Sequence, residues 1–139
     1  MNKDDFKIMV VDDEPVIVKL LTDNLASLTN HSITGFTDPY LAIQAFQKET
    51  FHLVLTDINM PNIDGFALLK QMNAHRPSSH FMVITAYKNI EVVARSMRLG
   101  ASYIFYKPID LEAVIAAVDT MFGRYLYWVE RLNEIGGEK

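Results

Sequence analysis

Short apolar runs alternate with amphipathic stretches along the chain. Five runs have the length and the β-branched or aromatic content of strands, and they cover residues 7–11, 32–36, 51–56, 81–85 and 103–106. In the segments between and after them, apolar residues recur every three or four positions, which is typical of helices packed on one face. The alternation predicts five consecutive strand–helix units.

Capping residues mark several of the predicted helix ends. Asp38 and Pro39 predict the N-cap and first turn of the second helix, and Asp110 predicts the N-cap of the fifth. The fourth helix is predicted over residues 91–99, with Gly100 at its C-terminal end. Because parallel strands need helical crossovers, these units predict an α/β fold with a parallel sheet between two layers of helices.

Length and composition narrow the class of protein. The 139 residues suit one domain, and a hydrophobic content of 50% can build a core. A formal net charge of −4 without a basic run argues against direct nucleic-acid binding. No apolar run approaches the roughly 18 residues of a membrane span, and the opening residues lack a signal-peptide core. We therefore expect a cytoplasmic protein without membrane contact, and the lack of cysteine suits that compartment.

Polar residues follow the predicted strands at the edge where such sheets bind ligands. They are Asp12, Asp13, Asp57, Thr85 and Lys107. Taken singly, each is more often a helix-start acid, a loop residue or a solvated side chain. Glu14 is interpreted in that way, as an acid in the first turn of a helix. Taken together, the strand-end residues favour a site for Mg²⁺ and a phosphoryl group.

These residues stand in motifs that resemble the receiver domains of two-component response regulators. The motifs are Val10-Val11-Asp12-Asp13-Glu14, Leu55-Thr56-Asp57-Ile58-Asn59-Met60-Pro61-Asn62-Ile63-Asp64-Gly65, Ile84-Thr85-Ala86, Gly100-Ala101 and Lys107-Pro108. The resemblance runs from about Lys7 to Phe122. It implies a flavodoxin-like, doubly wound sheet of five parallel strands in the order 2-1-3-4-5, with helices on both faces. It also implies a phosphorylation-activated signalling switch rather than a metabolic enzyme.

The resemblance further implies how the acids work. Asp57 is expected to be the phosphoacceptor, whose carboxylate attacks a phosphohistidine and forms an acyl phosphate. Asp12, Asp13, Asp57 and the main-chain carbonyl of Asn59 are expected to hold Mg²⁺. The donor is expected to be a sensor histidine kinase or a phosphotransfer protein, and the recipient of the signal an output domain or a downstream protein.

Other site residues are assigned by the same resemblance. Lys107 is expected to pair with one phosphoryl oxygen, and the Thr85 hydroxyl to turn to another. Ala86 is small enough to leave room for the phosphoryl group. The bond between Lys107 and Pro108 is a candidate cis peptide, since the cis form costs little only before proline. Gly65 is expected where a side chain would hinder the loop that follows Asp57.

Receivers commonly carry a switch aromatic three residues before the lysine, and here that residue is Ile104. Side chains alternate along a strand, so Ile104 and Tyr106 are predicted on one face and Tyr103 and Phe105 on the other. We therefore predict that movement of Thr85 is transmitted by repacking of Ile104 or by Tyr106.

Asn59 and Tyr87 occupy positions near the site mouth that modulate hydrolysis in this family. A ring at Tyr87 would obstruct the attacking water, which predicts slow self-dephosphorylation. The alternative is an exposed aromatic at a partner surface.

The last helical pattern continues past the end of a minimal receiver. Seven apolar positions are spaced alternately by four and three residues: Leu111, Ile115, Val118, Phe122, Tyr125, Val129 and Leu132. We predict a receiver domain over residues 1–122 and a helical extension over 123–139, ended by Gly136-Gly137. The stripe from Phe122 onward, with Trp128 beside it, is expected to need a partner, either a second copy or an output domain.

Three other functions remain as alternatives. A phosphatase that works through an aspartyl phosphate usually has a second acid where this chain has Asn59. An FMN carrier needs a hydroxyl- and glycine-rich loop after the first strand, where this chain is acidic. The third is a scaffold that dimerises without phosphorylation, which the intact set of acids disfavours.

Overall fold

The computed structural model describes residues 6–61 and 63–136, and it confirms the predicted fold class. Strands and helices alternate as β1 (Lys7–Val11), α1 (Pro15–Leu28), β2 (Ser32–Phe36), α2 (Pro39–Lys48), β3 (Leu53–Asp57), α3 (Gly65–His75), β4 (His80–Thr85), α4 (Ile90–Arg98), β5 (Tyr103–Tyr106) and α5 (Leu111–Gly136). Three predictions concern residues outside this description: Asn62 in the loop motif, Gly137 at the helix end, and the first five residues, which are expected to lack a signal-peptide core.

The five strands form one parallel sheet in the order β2-β1-β3-β4-β5, as the resemblance implies. Side chains of β1 show how the sheet separates two cores. Met9 and Val11 pack with α2 and α3, whereas Ile8 and Val10 pack with α1 and α5. Strand order reverses between β1 and β3, so a crevice opens at the carboxyl ends of these two strands.

Side-chain caps fix most helix starts and explain small shifts from the predicted boundaries. The carboxylates of Asp38 and Asp110 accept hydrogen bonds from the amides of Tyr40 (2.9 Å) and Ala113 (3.3 Å), as predicted. Asn89 caps α4, which therefore begins at Ile90, one residue earlier than predicted. Strand β3 begins two residues later than predicted and includes Asp57 as its last residue.

Gly65 lies against the backbone that carries Asp57. Its amide donates a hydrogen bond to the carbonyl of Ile58 at 3.1 Å. A Cβ atom at this position would lie 2.3 Å from Ile58 Cα and 2.6 Å from the Asp57 carbonyl oxygen. The loop after β3 can therefore close onto α3 only because residue 65 has no side chain.

We expect Gly65→Ala to destabilise the fold by about 1–3 kcal/mol, since backbone must move to admit the methyl group. Urea unfolding would measure the change. Gly123→Ala is the matched control, because Gly123 lies in α5 with nothing within 4 Å of its Cβ position. That control should gain up to about 1 kcal/mol, since alanine is the better helix former. Equal effects of the two substitutions would contradict the close-approach argument.

The buried stripe of α5 differs from the predicted seam. The residues of its first half that are fully buried are Val114, Ala117, Val118 and Met121. Leu111, Ile115 and Phe122 are only partly buried and pack at the margin of the same core. The heptad pattern therefore located the apolar side of the helix but, of the residues at its centre, only Val118.

The expectation that Phe122, Tyr125 and Val129 need a partner is wrong. The ring of Phe6 lies 5.2 Å from that of Phe122 and 5.1 Å from that of Tyr125, and the His52 ring lies 4.7 Å from Tyr125. Val129 is only 5% exposed. The chain covers these residues itself, because aromatic side chains from the segments before β1 and β3 extend the core along α5.

Other apolar side chains at the end of α5 are exposed. Trp128, Leu132 and Ile135 keep 64%, 60% and 66% of their surface accessible. The exposure of Trp128 and Leu132 agrees with the prediction, which did not include Ile135. Within residues 6–61 and 63–136, no helix is both long and apolar enough to cross a membrane.

Candidate functional site

The crevice between β1 and β3 brings the predicted acids together. Asp12 follows β1 and Asp57 ends β3, and both side chains are buried. One carboxylate oxygen from each of Asp12, Asp13 and Asp57 can be chosen so that all three lie within 4.8 Å of one another. Thr85, the last residue of β4, is also buried at this edge. The topology thus gathers residues that are far apart in the sequence.

Lys107 follows β5 and reaches into the acidic crevice. Its Nζ lies 3.0 Å from Asp12 Oδ2, 3.0 Å from Asp57 Oδ2 and 2.5 Å from Glu14 Oε2. An ammonium group has three hydrogens to donate, so three carboxylates can share it. Sequence reasoning placed the lysine here and missed Glu14, whose side chain does not cap α1. The available signal was a third consecutive acid after β1.

The charges in the crevice shift two pKa values. Burial raises the pKa of Asp12 to about 6, and the nearby charge of Asp57 acts in the same direction. The backbone hydrogen bond from Glu14 and the ammonium of Lys107 oppose that rise. Burial by itself lowers the pKa of Lys107, but the carboxylates around it outweigh burial and raise the pKa above its usual value. The lysine is therefore held as a cation that partly neutralises the acids.

The donor set fits a hard divalent cation. Asp12 Oδ1 accepts the Glu14 amide at 2.9 Å. Asp12 Oδ2 is buried and accepts no well-aligned hydrogen bond from the residues that the structure describes, although it forms the ion pair with Lys107. Asp12 Oδ2 also lies beside two further carboxylates, which makes it a suitable ligand for Mg²⁺. Mg²⁺ is usually bound by one or two carboxylates together with water. These residues could therefore hold a metal ion.

Asn59 connects Asp57 to Thr85. Its amide N–H donates to Asp57 Oδ1 at 2.9 Å, and its side-chain nitrogen donates to Thr85 Oγ1 at 3.2 Å. The Thr85 hydroxyl also accepts the backbone N–H of Tyr87 at 2.9 Å. The sequence predicted a role for the main-chain carbonyl of Asn59 but not this side-chain contact. A change at the Asp57 carboxylate can thus reach the loop after β4 through three hydrogen bonds.

Other predicted site residues surround the crevice. Ala86 is exposed directly after Thr85, and Tyr87 is 55% exposed at the mouth. The bond between Lys107 and Pro108 is cis, as predicted.

The side chains of β5 alternate as predicted. Ile104 packs on the core shared with α2 and α3, whereas Tyr103 and Phe105 pack on the core shared with α1 and α5. Tyr106 is paired with Thr85 in the sheet register, and its ring lies beside α4 with Lys88 Nζ 5.0 Å from the ring centroid. Ile104 and Tyr106 therefore lie on the α4 side of the strand.

Comparisons with known proteins agree with this geometry. Residues 8–119 match the family model described as the response regulator receiver domain. A probable chemotaxis protein CheY of Rhizobium etli is 32% identical over 119 residues, which are 84% of this chain and 92% of that protein. The DNA-binding transcriptional regulator NtrC of Escherichia coli is 30% identical over 118 residues, 85% of this chain but only 25% of the relative.

Solved structures share the fold. The receiver domain of the Francisella response regulator 1452 superposes with a TM-score of 0.80 at 20% sequence identity, covering 87% of this chain and 99% of that one. At this identity the likeness concerns the fold alone. The family model and the relative from Rhizobium etli, at 32% identity, carry the assignment to a family.

Proposed function

The chain belongs to the response regulator receiver domain family, and from this premise we propose that it is a phosphorylation-activated switch of a two-component system, with Asp57 as its phosphoacceptor. The observation that carries the proposal is the position of the Asp57 carboxylate, which ends β3 in a crevice that also holds two other aspartates and a lysine. In this proposal the chain catalyses only its own phosphorylation and dephosphorylation.

The proposed reaction is an in-line displacement at phosphorus. A carboxylate oxygen of Asp57 attacks the phosphoryl group of a phosphohistidine on a sensor kinase or phosphotransfer protein. The new bond joins this oxygen to phosphorus, and the phosphorus–nitrogen bond breaks with its electron pair on the imidazole. Lys107 Nζ, already 3.0 Å from Asp57 Oδ2, would then donate to a phosphoryl oxygen.

Asp12, Asp13, Asp57 and the main-chain carbonyl of Asn59 would hold Mg²⁺ when it is bound. The cation would supply positive charge next to the transferring phosphoryl group, which adds negative charge to a crevice already rich in carboxylates. The buried Asp12 Oδ2 supports this assignment, because among the described residues it has the ion pair with Lys107 but no well-aligned hydrogen bond.

Signal transmission is proposed to begin at Thr85. Its hydroxyl oxygen accepts hydrogen bonds from Asn59 and Tyr87, so turning toward a phosphoryl oxygen would change the contacts of both. Tyr106 pairs with Thr85 in the sheet and lies against α4. Movement of the Thr85 hydroxyl would therefore change the packing between β5 and α4.

We predict that binding of a phosphate mimic at Asp57 changes the side-chain rotamer of Ile104 or of Tyr106. A crystal structure of the chain with beryllium fluoride and Mg²⁺, compared with the free chain, would measure this. Tyr103, on the opposite face of β5, is the internal control and should keep its rotamer. A complex in which neither Ile104 nor Tyr106 moves would refute the proposed route.

Tyr87→Ala is expected to shorten the lifetime of the acyl phosphate several-fold, because the ring at the crevice mouth would no longer hinder the attacking water. The decay of the phosphorylated form would be followed by intact mass. Tyr40→Ala, at a ring of similar exposure on α2, is the control and should leave decay unchanged. Equal rates of acyl phosphate decay in the wild type and in Tyr87→Ala would refute this role and would favour Tyr87 as a contact residue at a partner surface.

The partners are proposed from the family. A histidine kinase or phosphotransfer protein would donate the phosphoryl group, and an output domain or separate protein would receive the signal.

Pairing of α5 with a second copy through its exposed apolar residues also stays a prediction. Sedimentation of the wild type and of Trp128→Glu, with and without beryllium fluoride, would test it. A wild type that remains monomeric in both states would refute pairing.

The proposed function is tested first on the wild type. The chain would be incubated with acetyl phosphate and either Mg²⁺ or excess chelator, and its intact mass measured. We expect one phosphoryl adduct that forms with Mg²⁺ and is absent with chelator. If neither acetyl phosphate nor a kinase donor gives an adduct, the alternative of an unphosphorylated scaffold is favoured.

A further inference from the structure

A groove runs between α3 and α4, starting at the loop that follows Asp57. It consists of two cavities, of about 560 Å³ and 360 Å³, whose linings share Asp64, Phe66 and Arg95. The upper cavity reaches Asn59 and Tyr87 at the mouth of the acidic crevice. The lower cavity lies further along both helices.

The lower cavity carries an excess of positive charge. Its lining includes Lys70 on α3 and Arg95 and Arg98 on α4, against a single acid, Asp64. Both oxygens of Asp64 are engaged, since Oδ1 accepts the Phe66 amide at 2.9 Å and Oδ2 lies 3.7 Å from Arg95. Lys70 and Arg98 form no ion pair with any residue that the structure describes. This excess contrasts with the net charge of −4 of the chain.

Arg95 is directed over an apolar floor. Its guanidinium carbon lies 4.2 Å from the centroid of the Phe66 ring, and that side chain is only 6% exposed. Leu99, half-buried, also lines the lower cavity. Cations in the last turn of α4 also favour its dipole, but that effect does not require stacking across to α3. The stacking fixes one cation of the groove next to an apolar surface.

We propose that the groove between α3 and α4 binds an acidic peptide segment of a partner protein, with carboxylates toward Lys70, Arg95 and Arg98 and an apolar side chain on Leu99 and the exposed Ala67, which line the lower cavity. Charge complementarity selects the acids, and the apolar floor selects a peptide over a bare anion. The proposal does not depend on phosphorylation of Asp57, so it can be tested independently of the proposed function.

The test is an NMR titration of the unphosphorylated, ¹⁵N-labelled chain with a blocked peptide, acetyl-Glu-Glu-Leu-Glu-Glu-amide. We expect saturable shifts confined to α3, α4 and the loop after β3. The double variant Lys70→Glu with Arg98→Glu should bind about tenfold or more weakly, because both exposed cations are reversed. Lys19→Glu with Lys48→Glu, on α1 and α2, makes the same change in net charge and should bind like the wild type.

Two further arms identify the occupant. Replacing the leucine of the peptide by glycine should weaken binding severalfold, and inorganic phosphate or a short single-stranded oligonucleotide should not produce the same shifts. The proposal is overturned if the peptide gives no saturable shifts, if both double variants bind equally well, or if phosphate or the oligonucleotide binds as tightly as the peptide. The exposed positions of Lys70 and Arg98 leave the fold intact in the variant, which thermal unfolding would verify.

Discussion

Asp57→Asn is expected to lose the phosphoryl adduct completely under conditions in which the wild type is fully modified. The amide that replaces the carboxylate is a poor nucleophile, and its neutral side chain also removes one proposed ligand of Mg²⁺. The backbone should be preserved, because the amide oxygen can still accept the Asn59 N–H that Asp57 Oδ1 accepts at 2.9 Å. Intact mass after incubation with acetyl phosphate and Mg²⁺ measures the outcome.

Asp38→Asn is the matched control for this prediction. Asp38 undergoes the same chemical change at an exposed helix cap, where asparagine is an equally good residue. It should be phosphorylated like the wild type. If Asp57→Asn still carried a full adduct, another carboxylate in the crevice would be the acceptor and the assignment of Asp57 would be wrong.

Lys107→Ala is expected to destabilise the chain by about 3–5 kcal/mol in the absence of Mg²⁺. The substitution removes the cation shared by Asp12, Asp57 and Glu14, and two of these carboxylates are buried. Protonation of an acid would recover part of this loss. Addition of Mg²⁺ should stabilise the variant more than the wild type, because the uncompensated acids attract the cation more strongly. Thermal unfolding at several Mg²⁺ concentrations measures both effects.

Lys19→Ala removes an ion pair of similar length in an exposed place. Lys19 lies 2.9 Å from Asp23, but 79% and 60% of the two side chains are accessible. Its loss should cost less than about 1 kcal/mol and leave the Mg²⁺ response unchanged. If Mg²⁺ stabilised Lys107→Ala and the wild type equally, the lysine and the metal would not share the acidic crevice.

The elements of the fold could be predicted because local signals and the burial pattern agree. The inner strands β1, β3 and β4 are covered on both faces and form apolar runs in the sequence. Asp38 and Asp110 mark helix starts by direct hydrogen bonds. The start of α4 differs by one residue from the prediction because the Asn89 cap is not part of the predicted pattern. The order of the strands came from the family resemblance, since periodicity alone does not specify which strands are neighbours.

The candidate site could be predicted as a set of strand ends, but not in its contacts. Lys107 and Glu14 are 93 residues apart, and their contact depends on the conformation of two flexible side chains. The same holds for the side chain of Asn59, which reaches Thr85 across two neighbouring strands. Sequence spacing determines which backbone segments meet, whereas such side-chain contacts require the three-dimensional arrangement.

The burial of Phe122, Tyr125 and Val129 on α5 was misjudged for a similar reason. These residues were expected to lie beyond the sheet and to need a partner. Phe6, which precedes β1, was not recognised as part of the core, yet its ring contacts both Phe122 and Tyr125. A long-range aromatic cluster of this kind has no local pattern in the sequence.

The most direct test of the central claim identifies the residue that carries the phosphoryl group. The wild type would be incubated with acetyl phosphate and Mg²⁺, reduced with borohydride, digested and sequenced by tandem mass spectrometry. Borohydride converts an aspartyl phosphate to homoserine and leaves a free carboxylate unchanged. Our account predicts homoserine at position 57 alone, and only in the sample that received both acetyl phosphate and Mg²⁺. Homoserine at position 12 or 13, or none at any position in a sample that carries the adduct, would contradict it.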